Sequence, residues 1–232
     1  MRVSPRRHSI LARLGACRSG VAATEFALCL PFLLGAGLMG LEAGNRAIVQ
    51  TQISQLAAQI ADNASRIGDT STLQNRKIYE NDIDDLLRGA ALQGSSRLDL
   101  FEHGRVIISS LEVVPGTDNQ QYIHWQRCAG KKNHISSYGL QGDGADGGLP
   151  GMGPPGQEVW AFPDEAVIFV EISYDYQSLV GPRFGLGGTI ASTASFTVRD
   201  DRDLSQIYQR DPAAPDPVAD CSLYGNPVAP AA

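Results

Sequence analysis

The chain has 232 residues, 43% of them hydrophobic and 19% charged, a globular composition that excludes wholesale disorder, collagen-like repeats and a polytopic membrane protein. Its net charge of −6 is unevenly placed: residues 1–20 hold Arg2, Arg6, Arg7, Arg13 and Arg18 and no acid, so only 14 of the 19 basic residues face the 25 acidic ones in the remainder. An acidic body excludes nucleic acid as a partner, because phosphate contacts need a basic face. A basic head before an apolar run is instead a membrane-topology signal.

That apolar run follows at once. Residues 26–41 carry no charge and are bounded by Glu25 and Glu42. As a helix they cover roughly 24 Å at ~1.5 Å per residue, and adding Val21, Ala22 and Ala23 brings the span to the ~30 Å of a hydrocarbon layer. A secretory signal peptide fits poorly, since Glu25 heads the apolar stretch and the one cleavage triplet on offer, Leu41-Glu42-Ala43, lacks a small first residue. An ordinary single-pass anchor and a pilin-type N-terminus both fit. Glu25 weighs toward the second: a carboxylate in an apolar helix costs ~2.5–3.5 kcal/mol at the bilayer centre and less near its edge, so it needs a partner. A cut after Gly20 would give Val21 a free ammonium group able to pair with Glu25 of its own or a neighbouring helix. Pro31 removes one helical amide, which membrane helices tolerate. Ala36, Gly40 and Gly44 stand four apart and line one helix face with small residues, the spacing that lets another helix backbone approach.

The stretch Arg18-Ser19-Gly20-Val21-Ala22-Ala23-Thr24-Glu25-Phe26, with its basic leader, apolar run and Leu30-Pro31 step, resembles the TadE-like family of minor pseudopilins. These belong to the tight-adherence (Flp, type IVb) pilus machinery. A weaker resemblance lies at Val198-Arg199-Asp200-Asp201-Arg202-Asp203-Leu204, and residues 70–160 carry no family motif. The resemblance implies cleavage between Gly20 and Val21 by a prepilin peptidase, with Glu25, followed by Phe26, as the processing and assembly glutamate. It also implies a non-catalytic structural role in pilus assembly, alongside other pilin and pseudopilin subunits and the lipid bilayer. The implied location is the bacterial inner membrane, single-pass with the C-terminal domain in the periplasm, or the pilus itself after incorporation. No cofactor or metal is implied.

Beyond the span, Ile48, Ile53, Leu56, Ala57, Ile60, Ala61, Ala64 and Ile67 recur at helical steps, so one helix is expected from about 21 to 67, ended by Gly68-Asp69. A second helix is expected over 75–92, broken by Gly94-Ser95-Ser96. Strands follow: Leu98, Leu100 and residues 106–114 about a turn at His103-Gly104, then residues around Tyr122, Ile123 and Trp125, then 166–176 and 189–198, the last two alternating apolar and polar. Helices before strands give an α+β fold, a long N-terminal transmembrane and amphipathic helix packed against an antiparallel sheet, pilin-like in outline. The domain plan is a cleaved leader 1–20, a transmembrane helix 21–44, a periplasmic α+β domain 45–208 and a Pro/Ala-rich tail 209–232, extended or mobile apart from whatever Cys221 fixes. Residues 139–156 collapse to Gly, Asp and Pro and form a long loop.

Of the four cysteines, Cys17 falls in the leader and Cys29 in the apolar run, which leaves Cys128 and Cys221 as the disulfide pair of an oxidising compartment. His103, His124, His134 and Cys128 match no zinc spacing, and Asp143-Gly-Ala-Asp146 lacks a full calcium ladder. There is no nucleophile elbow, phosphate loop or dinucleotide fingerprint, so an enzyme is not expected. Asp200-Asp201-Arg202-Asp203 reads as a solvated strand end. The alternative from another class is an uncleaved, anchored envelope binding protein that recognises a ligand through loop 139–156.

Overall fold

The computed structural model describes residues 19–69, 75–181, 187–199 and 201–225; residues 1–18 of the expected leader, with Cys17, lie outside them, as do Asp200 and the residues beyond Gly225. The described chain has an α+β fold: a long N-terminal apolar helix, two further helices and a four-stranded antiparallel sheet. It divides into two units at Asn45/Arg46.

The first unit is helical throughout its described part, as the first half of α1 (Ser19–Ala64). Pro31 lies inside it, and the helix runs on without interruption. It is the one helix among the described residues long and apolar enough to cross a membrane, the length that a ~30 Å hydrocarbon layer requires.

The second unit begins within α1. From Val49 the apolar stripe is buried: Val49, Ile53, Leu56, Ala57, Ile60, Ala61 and Ala64 join the main core, whereas Ile48 points to solvent. The helix stops at Ala64, three residues short of the sequence expectation, with a final turn closed by bonds from Arg66 and Ile67 amides to Asn63 O. Arg202 reaches over this end and donates to Ala64 O (3.3 Å) and Ile67 O (2.8 Å), placing a cation where the helix dipole is negative. The supposed solvated charge run therefore holds a buried capping arginine.

The next helix, α2 (Glu80–Leu98), is displaced toward the C-terminus of its expected range. Residues 75–79 are held extended instead, through parallel bridges Arg76↔Arg202 and Tyr79↔Tyr208. The helix passes through Gly94, where a Cβ would sit 3.2 Å from Leu100 Cβ and 3.7 Å from Leu56 Cδ2; glycine permits the close packing and is no break here. The expected turn at His103-Gly104 is also replaced. Asp99 turns the chain in a left-handed conformation (φ 45°), and Leu100–His103 form the short helix α3, whose Leu100 and Phe101 are buried.

The sheet comprises β1 (Gly104–Val113), β2 (Gln121–Ala129), β3 (Ala166–Asp175) and β4 (Thr189–Thr197), in the order β2-β1-β3-β4. One face carries Val106, Ile108, Ile168, Val170, Ile172 and Tyr174 against the helices. The other carries Ile107, Leu111, Val167 and Phe169 under the segment 130–165. A bulge at His124, between the pairs Ser110↔Trp125 and Leu111↔Ile123, sends Trp125 to the helix face and Ile123 to the opposite one, although a regular two-residue period would have kept them together.

Candidate functional site

The segment singled out for processing lies at the start of α1. Gly20 and Val21 fall in its first described turn and are exposed, and Thr24 Oγ1 donates to Val21 O at 2.8 Å. Glu25 and Phe26 follow one turn later on the exposed helix. Pro31 lies inside the helix. A Cβ added at Gly40 or Gly44 would meet nothing within 4 Å, and Ala36 is exposed with them, so the small-residue face is open along its length. The apolar run itself is uncovered: Phe26, Leu28, Phe32, Leu33, Leu34, Met39 and Leu41 are all exposed. A large bare apolar surface of this kind is stable only against lipid or another helix.

Cys128 and Cys221 form a disulfide across 93 residues. Its consequence is wider than tethering one point, because the tail is folded rather than free. Cys128 N donates to Ala219 O (2.8 Å) and Gly130 N to Gly225 O (2.6 Å), so the tail pairs with the outer edge of β2. Upstream, the Glu80 amide donates to Tyr208 O and the Arg210 guanidinium reaches Asp82 Oδ1 (3.0 Å). The tail, expected to be extended or mobile apart from Cys221, runs without helix or strand through residue 225 and is anchored at these further points. At its centre is Arg105, 1% exposed, whose guanidinium donates to Gly130 O (2.9 Å), Leu223 O (2.8 Å) and Cys221 O (2.6 Å) and lies 4.2 Å from the Tyr224 ring. These three carbonyls and the ring offset the cost of burying the cation.

Loop 139–156 is likewise built into the body. Gln126 Nε2 donates to Ser109 Oγ and Gly139 O (both 2.9 Å), and Gln126 and Gln141 exchange amide–carbonyl bonds. Glu171, buried on β3, accepts from His134 Nε2 (2.8 Å), Ser136 Oγ (3.0 Å) and the Ser137 amide (3.1 Å). Gln121 clasps Ala161 from both sides, accepting its amide at 2.7 Å and donating to its carbonyl at 3.0 Å. Asp143 is spent within the loop, accepting the Leu140 amide at 2.8 Å.

The three described histidines are each engaged separately. His103 packs edge-on to Tyr174, His124 Nδ1 lies 2.9 Å from Glu112 Oε2, and His134 is held by Glu171. The Glu112 hydrogen bond raises the His124 pKa against the lowering effect of burial. Cys128 is consumed by the disulfide. Among the described residues no group of three or more His, Cys, Asp or Glu is placed to hold a metal ion.

Arg105, Gln121, Gln126, Glu171 and Arg202 were missed in the sequence. Local sequence held no signal for them, since a polar residue in an alternating strand, as in Val170-Glu171-Ile172, is what a solvent-facing position also shows. Trp160 and Phe162 were missed as well, in a Trp-x-Phe alternation just before Pro163. Comparison of the chain with protein-family models, with curated proteins and with solved structures finds no match.

Proposed function

We propose that this chain is a minor pseudopilin of the TadE-like kind, a non-catalytic subunit of tight-adherence pilus assembly that a prepilin peptidase cleaves between Gly20 and Val21. The observation that carries the reading is the placement of Glu25 five residues into the segment beginning at Val21, at the head of an exposed apolar helix. A carboxylate there is costly in lipid unless a cation meets it, and an N-terminal ammonium created at Val21 is the cation that cleavage supplies. The exposed Ala36, Gly40 and Gly44 face supports close approach of a sister helix. In this account the acidic α+β unit is carried on the periplasmic side, where the disulfide between Cys128 and Cys221 would be kept oxidised. The protein is inserted in the inner membrane, and lipid, prepilin peptidase and other pilin-type subunits are its partners.

The test is co-expression with a prepilin peptidase. The wild-type chain shortens, Gly20→Glu stays full-length, and Glu25→Ala inserts and folds yet fails to enter assemblies with pilin subunits. Normal assembly of the Glu25→Ala protein would contradict the role given to the glutamate.

A further inference from the structure

A cleft of about 690 Å³ lies on the loop-covered side of the sheet, away from α1 and α2, between the start of β2, the segment 158–163 and the outward face of the β3–β4 pair. Its rim holds the two most exposed aromatic side chains among the described residues of the second unit, Trp160 at 59% and Phe162 at 69%. Both are set by the Gln121 clasp on Ala161. In an extended segment alternate residues face opposite ways, so pinning Ala161 inward turns its two neighbours outward. Trp160 is fixed further: its indole N–H donates to Pro150 O at 2.8 Å. Gly151, at φ +115°, packs against that ring nitrogen, and a Cβ there would sit 3.0 Å from it. The indole thus has its polar edge satisfied and its flat apolar face left to solvent.

Asp118, Asn119, Glu158, Ser195 and Thr197 add hydroxyl, amide and carboxylate groups to a lining whose remainder is mostly apolar, and among the described residues it holds no Lys, Arg or His. The Glu158 carboxylate is held below the usual carboxylate range by the Gly156 amide. Among the described residues the side chains of Asp118, Asn119, Ser195 and Thr197 are uncommitted. We propose that this cleft binds a neutral oligosaccharide, which stacks a sugar ring on the fixed face of Trp160 and against Phe162 while its hydroxyls bond Asp118, Asn119, Glu158, Ser195 and Thr197. Aromatic faces favour the apolar C–H faces of a sugar ring. Carboxylates without a basic neighbour repel uronic or sulfated chains, and an open cleft lets a polymer run through it. The inference stands independently of the pilus reading.

The chain has two tryptophans, and the other, Trp125, is buried, so fluorescence can be made to report the cleft alone. The full chain in detergent, carrying Trp125→Phe, is titrated with the hexamers of glucose and of N-acetylglucosamine, an anionic hexauronate and a lysine-rich peptide. The result expected is a saturable emission change with a neutral hexamer, weakened roughly five- to tenfold by Phe162→Ala, and no response to the hexauronate. In the unsubstituted chain, bound sugar should also slow oxidation of Trp160 by N-bromosuccinimide, which reads the same face without the Trp125 change. Absence of both effects with both neutral hexamers overturns the proposal. Saturation unaffected by Phe162→Ala does so too, as does response to the peptide alone, which would assign the cleft to a basic protein segment.

Discussion

The two faces of the sheet are buried by opposite means. On one, regular helices whose backbone bonds are internally complete lay Ile53, Leu56, Ile60, Ile83 and Leu87 on Ile108, Ile168, Val170 and Ile172, and the contact is almost wholly apolar. On the other, irregular chain covers a smaller apolar cluster, and such chain brings backbone amides and carbonyls that must find partners when water is excluded. The sheet supplies them from side chains: Arg105, Gln121, Gln126 and Glu171 each point a polar head into the covering segment. The same arrangement protects an edge. The outer side of β2 is met by Asp143 O at the Ile123 amide and by the tail at Cys128 and Gly130, which removes an open template for strand pairing. The lesson is that loops and tails are held by a few long polar side chains of the sheet, not by their own composition.

The largest expected effect follows from cutting the tail loose. Replacing Cys128 and Cys221 by Ser removes a link across 93 residues, worth about 4–5 kcal/mol in the chain-entropy model; denaturant unfolding of the oxidised and substituted chains measures it.

Next is a pair of substitutions aimed at the contrast itself. Ile168→Ala, at a fully buried helix-face position, should cost about 3 kcal/mol and lower protection from hydrogen exchange across the whole sheet. Arg105→Met keeps bulk but orphans three carbonyls, and should cost about 2–3 kcal/mol with exchange rising first in residues 219–225. If both variants opened the same amides, the two faces would not differ in the way described.

Gln121→Leu tests a single clasp. It leaves the Ala161 amide and carbonyl without partners, which costs about 1–3 kcal/mol, and it should free Trp160 to move, broadening its indole resonance.

The smallest effect is a pH dependence. The Glu112 hydrogen bond holds the His124 pKa above the ordinary 6.5 in the folded chain, so protonation favours folding. That stabilisation is fully present below about pH 6.5 and is lost as pH rises through the raised folded value. His124→Gln should flatten this part of the stability profile.

How much of this was legible in the sequence follows the same division. Periodicity exposed α1 and α2, because their burial is apolar and repeats with the helix, and alternation marked β3 and β4 as strands, although β3 is buried on both faces. Cys128 and Cys221 were legible by compartment. The clasps were not: a lone Arg105 at a strand start, or Glu171 between Val170 and Ile172, looks the same whether it faces solvent or holds a loop some 35 residues away in sequence. The extent of α2 was misread for a related reason, since Gly94 serves Leu100 and Leu56 rather than ending a helix. The bulge at His124 defeats alternation as a guide to which face Ile123 and Trp125 take.

The unit ahead of Arg46 obeys neither pattern: the large apolar side chains of its described part are exposed, and the function proposed for it rests on what happens at its head. The direct measurement is the intact mass of the chain extracted from membranes of a cell that carries the prepilin peptidase. The account predicts a mature protein that begins at Val21, lighter by residues 1–20. A mass that retains residues 1–20 would contradict it, and would make the segment an ordinary anchor for an envelope binding protein.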